Sequence, residues 1–145
     1  MNPTAEQKPR VLIIEDNVGD VGLFRWALEQ AGVDCELSIL GDGGAAFDWM
    51  REENSSADPA VPDLIVLDLN LPKASGREIL TAMRSTAVFA DVPVVVWTSS
   101  NAPGDRAQLQ KLSVSRYLVK PSELAEFVKL GKIIRELLEE PARKD

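Results

Sequence analysis

Three short apolar runs punctuate the chain: Val11-Leu12-Ile13-Ile14, Leu64-Ile65-Val66-Leu67 and Val94-Val95-Val96-Trp97. They are continuous rather than alternating and rich in β-branched residues. Strands buried on both faces have this pattern, as in a parallel sheet covered by helices. Weaker strands are predicted over Cys35 to Leu40 and Tyr117 to Val119. Between the strands the apolar spacing turns helical. Val21 to Ala31 sets Leu23, Phe24, Ala27, Leu28 and Ala31 on one side, with Gly32 as a stop signal. Ala45 to Arg51, Arg77 to Arg84 and Arg106 to Leu112 supply the next helices. Ser122 is placed to cap a last helix running to about Glu140, ahead of Pro141. Strict alternation of strand and helix predicts an α/β fold, a doubly wound (βα)5 sandwich around a five-stranded parallel sheet.

The polar stretch from Glu52 to Pro62 is a surface loop, because a strand follows it at once. The folded unit is expected over residues 10–140, with a flexible N-terminal tail at 1–9 and a C-terminal tail at 141–145. A length of 145 residues suits one domain with a real core.

Charge and composition narrow the chemistry. Lys and Arg number 16 against 23 Asp and Glu, a formal charge of −7. That balance argues against nucleic acid as a partner, which requires a basic surface. The apolar runs fall far short of the roughly 20 residues that a membrane span needs, and the N-terminus lacks the apolar core of a signal peptide. The single Cys35 cannot form an internal disulfide. A cytoplasmic protein with no membrane partner is expected. The absence of histidine removes Ser-His-Asp triads, Cys-His pairs and imidazole metal ligands. Polar chemistry must therefore run on carboxylates, hydroxyls and amines.

In open α/β sheets ligands collect at the carboxyl ends of the strands. Here those ends carry Glu15-Asp16, then Asp68 followed by Asn70, then Thr98-Ser99, then Lys120-Pro121. Singly, each has a plain explanation: a helix cap, a β-former or a surface lysine. Their joint occurrence at four strand ends is harder to dismiss, and an acid at position 68 within a buried strand pattern is otherwise costly. Adjacent carboxylates repel, and without a counter-charge at least one keeps its proton. A hard divalent cation with oxygen ligands relieves this, and acids with waters suit Mg²⁺. Asp68 can then stay ionised and attack phosphorus, with Lys120 neutralising phosphoryl oxygens and Thr98 donating a hydrogen bond to one. Phosphoryl transfer is mostly positioning and charge neutralisation, so this short set suffices.

Glu15-Asp16-Asn17, Asp68-Leu69-Asn70-Leu71-Pro72, Thr98-Ser99 and Tyr117-Leu118-Val119-Lys120-Pro121 together resemble the receiver domain of two-component response regulators, the CheY-like, flavodoxin-like fold. The resemblance covers about Arg10 to Glu139. It implies Asp68 as phosphoacceptor with Thr98 and Lys120 as the other catalytic groups, and a Mg²⁺ site of Asp16, Asp68, Glu15 through water and the Asn70 carbonyl. It implies Thr98 and Tyr117 as a switch pair and a cis Lys120-Pro121 bond. It also implies a sensor histidine kinase as partner, because a chain without histidine cannot supply the phosphohistidine donor. Catalysis would be limited to self-phosphorylation and slow autodephosphorylation. Glu15-Asp16-Asn17-Val18-Gly19-Asp20-Val21, Asp68 to Lys73 and Gly76-Arg77-Glu78 are similar to single-domain receivers paired with phytochrome-like kinases. The chain departs from the family at Leu112-Ser113-Val114-Ser115-Arg116, where Leu-Gly-Ala is usual, so the loop before Tyr117 is expected to sit differently.

Two surfaces complete the sequence expectations. On the last helix, Leu130, Ile133 and Leu137 lie beside the stripe of Leu124, Phe127, Val128, Ile134 and Leu138. The apolar arc widens to roughly 220°, where a core-facing helix needs about 100°. A homodimer through this helix and the last strand accounts for the excess, as does burial by the chain's own C-terminal residues. Trp26, next to Arg25, lies off its helix's core side and is a candidate for kinase docking. The alternative functions are a Mg²⁺-dependent aspartyl-nucleophile phosphohydrolase and a receiver that binds without phosphorylation. Asn70 stands where such hydrolases carry a second acid.

Overall fold

The computed structural model describes residues 8–99 and 103–140. Its strands are β1 (Arg10–Ile14), β2 (Glu36–Leu40), β3 (Leu64–Leu67), β4 (Val94–Thr98) and β5 (Arg116–Val119). The helices between and after them are α1 (Val18–Gln30), α2 (Gly43–Asn54), α3 (Gly76–Arg84), α4 (Pro103–Gln110) and α5 (Leu124–Glu139), with a 3-10 turn over Ala87–Phe89. The strands form one parallel sheet in the order β2-β1-β3-β4-β5. This is the (βα)5 sandwich expected from the alternation. Of the expected tails only Lys8 and Pro9 are described; residues 1–7 and 141–145 lie outside the described residues.

Period-two alternation along each strand divides the core between the two faces of the sheet. Leu12, Ile14, Ile65, Leu67, Val94 and Val96 face Met50, Ile79, Leu80, Met83, Phe89 and Leu109. Val11, Ile13, Leu64, Val66, Val95 and Trp97 face Phe24, Ala27, Leu28, Phe127 and Ile134 of α1 and α5. Because β1, β3 and β4 are covered on both sides, their apolar runs have no polar gaps. β2 is an edge strand with Ile39 left 42% exposed, which is why its signal is weak.

Helix ends moved from expectation where side chains cap them. α1 begins at Val18 because Asn17 Oδ1 accepts the Asp20 N–H at 3.0 Å. α2 begins at Gly43, with Asp42 Oδ1 accepting the Ala45 N–H at 2.7 Å. α3 opens on a reciprocal capping box between Ser75 and Glu78. Ser122 does not cap α5; Glu123 takes the N-cap position and makes no side-chain capping bond. Among the described residues every peptide bond is trans, Lys120-Pro121 included, against the cis expectation. The trans isomer is the intrinsically favoured one; the Lys120 N–H, on the preceding peptide, donates to the Thr98 carbonyl at 2.7 Å.

Candidate functional site

Strand register brings the chemistry to one edge. Ile14 pairs with Leu67, so Glu15 and Asp68 leave their strands side by side, and the Asp68 N–H donates to the Ile14 carbonyl at 3.1 Å. Thr98 ends β4 opposite Val119, which sets Lys120 one step beyond. Gly76 holds α3 against the end of β3: a Cβ there would meet the Asp68 carbonyl oxygen at 2.3 Å. Close approach of backbone, not turn geometry, requires glycine at this position.

Glu15, Asp68 and Thr98 are buried polar residues of the sheet edge, while Asp16 is exposed. Carboxylate oxygens of Glu15, Asp16 and Asp68 all lie within 4.8 Å of one another. The Lys120 ammonium donates to Asp68 Oδ2 at 3.2 Å and to Asp20 Oδ2 at 2.8 Å. It also stands 2.7 Å from Glu15 Oε1. That third pair is close but poorly directed, and Glu15 Oε1 is buried without a hydrogen-bond partner. The Asn17 N–H donates to the other Glu15 oxygen at 3.1 Å, and the Asn70 N–H donates to Asp68 Oδ1 at 3.2 Å. Asn70 Nδ2 reaches Thr98 Oγ1 at 3.5 Å, a long contact at the limit of hydrogen bonding.

Electrostatics follow from the burial. Desolvation pushes the Glu15 carboxyl up from 4.5 to about 7, with the Asp68 charge adding and the Lys120 ammonium and Asn17 N–H opposing. For Lys120, burial pulls downward, but the bond to Asp20, the close Glu15 carboxylate and the Asp68 charge outweigh it and hold the ammonium well above the usual lysine range. Three acids face one ammonium, and Asp16 adds a fourth carboxylate to the same edge. A divalent cation fits this donor set: three converging carboxylates, all oxygen, with one buried oxygen lacking a directed partner.

The other predicted residues fall in distinct places. Tyr117 is half-buried beside the α3–α4 side of the core, and the Arg106 guanidinium lies 4.7 Å from its ring centre. Trp26 is half-buried against the α1–α5 side of the core, while Arg25 is exposed. Leu130 is only 5% exposed and belongs to the chain's own core, which removes it from any dimer face. A widened apolar arc on α5 reflects packing against α1, where Gly131 permits close approach. Ile133 and Leu137 remain half-buried. The residue that sequence reasoning passed over is Asp20. It reads as a solvated first-turn acid, and nothing local announces a lysine 100 positions away.

A groove of about 900 Å³ lies at the opposite end of the sheet, lined by Pro62, Asp63, Arg84, Asp91, Pro93 and Ser115 among others. None of the converging carboxylates lines it. No helix among the described residues is long and apolar enough to cross a membrane.

Comparison with known proteins agrees with this geometry. A family model for the response regulator receiver domain matches residues 11–132. The chain is 36% identical over 120 residues to the response regulator Rcp1 of a Synechocystis species, covering 83% of this chain and 82% of that protein. The crystal structure of the phosphorylated cyanobacterial phytochrome response regulator RcpA is similar with a TM-score of 0.80 and 34% identity, covering 90% of this chain and 94% of that one. The Mn²⁺-bound form of Rcp1 also gives a TM-score of 0.80 at 34% identity, covering 94% and 99%.

Proposed function

The chain belongs to the response regulator receiver domain family, and from that premise we propose that Asp68 is its phosphoacceptor and that a sensor histidine kinase is the donor. One observation carries this reading: the Asp68 carboxylate is buried, bonded to Lys120 at 3.2 Å and clustered with two further acids. Glu15, Asp16 and Asp68, with the Asn70 carbonyl, would hold Mg²⁺. When bound, the cation would neutralise charge on the acids and on the phosphoryl oxygens.

The chain's own groups supply the rest. An Asp68 oxygen forms a bond to phosphorus as the phosphorus–nitrogen bond of the kinase phosphohistidine breaks. The electron pair leaves on the imidazole nitrogen, which takes up a proton. Lys120 offers its ammonium to the transferred oxygens, and the buried Thr98 hydroxyl lies at the end of the adjoining strand to donate to one of them. As Thr98 is drawn toward the phosphoryl group, Tyr117 gains room to turn, and the α4–β5–α5 face changes shape. The output is a change in protein contacts.

The relatives favour a phytochrome-like kinase, since RcpA is described as a phytochrome response regulator. Arg25 and the half-buried Trp26 on α1 would contribute to that docking. Self-association through α5 and β5 stays in the proposal with Ile133 and the 39% exposed Val119 as its contacts, Leu137 at the margin; sedimentation with and without phosphoryl donor tests it. For the central claim the experiment is labelling by acetyl phosphate with and without Mg²⁺. Mass spectrometry is expected to place the added mass on Asp68 only with Mg²⁺, and Asp68→Asn to abolish it. Labelling elsewhere, or retained by Asp68→Asn, would overturn the assignment.

A further inference from the structure

Lys120 has three N–H donors and three carboxylates within reach: Glu15 at 2.7 Å, Asp20 at 2.8 Å and Asp68 at 3.2 Å. These partners differ in depth. The side chains of Glu15 and Asp68 are 1% and 6% exposed, whereas that of Asp20 is 23% exposed and stands toward the opening. The ammonium side chain is itself only 12% exposed, so its bond to Asp20 is not a solvated surface pair of small consequence. The remaining surroundings also constrain it. The Trp97 ring centre lies 5.1 Å from the ammonium, and the Lys120 N–H is fixed to the Thr98 carbonyl at 2.7 Å. The ammonium therefore touches all three acids at once, and its main freedom is to shift outward toward Asp20 or inward onto the other two.

Asp20 is held in place independently. Its N–H is bound by the Asn17 cap of α1 at 3.0 Å, on the same loop whose Asn17 N–H binds Glu15. Without the outer acid, Coulomb attraction would draw the ammonium onto Asp68 and Glu15. A lysine settled there would neutralise the nucleophile and crowd the place of a cation.

We propose that Asp20 is a positioning residue for Lys120, pulling outward on the ammonium before phosphorylation so that it is shared among three acids and not drawn wholly onto Asp68 and Glu15. The inference rests on the roles given above to Asp68 and Lys120. Once the phosphoryl group arrives, its oxygens outcompete a single carboxylate, and Lys120 leaves Asp20 for them.

The test is a double-mutant cycle on the initial rate of labelling by acetyl phosphate at saturating Mg²⁺. Asp20→Asn is expected to slow labelling about tenfold, a size typical of directly coupled neighbours, and Asp20→Glu to restore most of it. In a Lys120→Gln background Asp20→Asn is expected to change the rate less than about twofold. Equal slowing in both backgrounds, or none in either, would overturn the proposal. Label at another residue, or label kept by Asp68→Asn, would instead overturn the phosphoacceptor assignment beneath it. Where Lys120→Gln labels too slowly to measure, Trp97 provides the second readout, in a protein whose other tryptophans, Trp26 and Trp49, are replaced by phenylalanine. Asp20→Asn should shift Trp97 emission by moving the ammonium, and Lys120→Gln should remove that shift. An unchanged spectrum would count against the proposal.

Discussion

A Cβ on Gly131 would stand 2.2 Å from the carbonyl oxygen of Ala27, so α5 and α1 touch where a hydrogen fits and a methyl group does not. The obstacle is backbone, which cannot rotate aside. Alanine is the better helix former by about 1 kcal/mol, while overpacking a tight contact costs about 1–3 kcal/mol. Overpacking should win. Gly131→Ala is expected to lower stability by up to about 2 kcal/mol once the helix gain is subtracted, read as a lower urea midpoint with unchanged slope. A midpoint at or above wild type would mean that α5 shifts freely on α1.

Ser113 sits where the family resemblance calls for glycine, and its φ of 59° is left-handed. The turn there takes a conformation suited to glycine with a residue that strains to adopt it. Its carbonyl accepts from Arg84 at 3.3 Å, a bond that glycine would retain. Ser113→Gly should therefore stabilise by up to about 1 kcal/mol, the relief of left-handed strain outweighing the added chain entropy. Thermal melting checks this, and Ser113→Val, β-branched at the same φ, should move the other way.

Much of the fold was legible because β1, β3 and β4 are buried on both faces and leave uninterrupted apolar runs. The site was legible for a related reason: in a parallel sheet all carboxyl ends share one edge, so Glu15, Asp16, Asp68, Thr98 and Lys120 could be collected without knowing strand order. Asp20 escaped because only tertiary packing joins it to Lys120. Leu130 was misplaced because a helical wheel shows the width of an apolar arc but not what covers it; α1 covers it here. Ser122 was misjudged as a cap because position before an apolar stripe does not fix which residue turns the backbone, and Glu123 does so without a side-chain bond.

Burial raises the Glu15 carboxyl from 4.5 to about 7, and this fixes the direction of two pH effects. Between those values the folded chain holds a proton that the unfolded chain has lost. Stability of the metal-free protein from this group is thus fully present below pH 4.5 and is lost as pH rises through about 7. A cation needs the ionised carboxylate, so apparent Mg²⁺ affinity should run oppositely, rising with pH and levelling above about 7. Isothermal titration from pH 5.5 to 8 should show roughly a tenfold change per unit on the acid side for this single proton. Glu15→Gln should flatten the profile and make the metal-free protein more stable at neutral pH. A pH-independent wild type would remove Glu15 from the metal's surroundings.

Tyr117 is the chain's single tyrosine, which makes the proposed switch directly observable. The Arg106 guanidinium lies 4.7 Å from its ring centre and donates to its carbonyl at 3.3 Å, tying α4 to β5 on the face proposed to change. A cation–π contact at such a partly exposed site contributes about 0.5–1 kcal/mol. Removing it should shift a two-state ring equilibrium by about twofold to fivefold, without by itself completing the switch. Fluorotyrosine incorporation gives one ¹⁹F resonance. That resonance should move when wild type receives acetyl phosphate and Mg²⁺, and stay still in Asp68→Asn. In Arg106→Ala without donor it should lie part of the way toward the phosphorylated position. If phosphorylation leaves the wild-type resonance fixed, Tyr117 is an ordinary strand residue packed against Val96 of its neighbour, and the changing face must be sought on other residues.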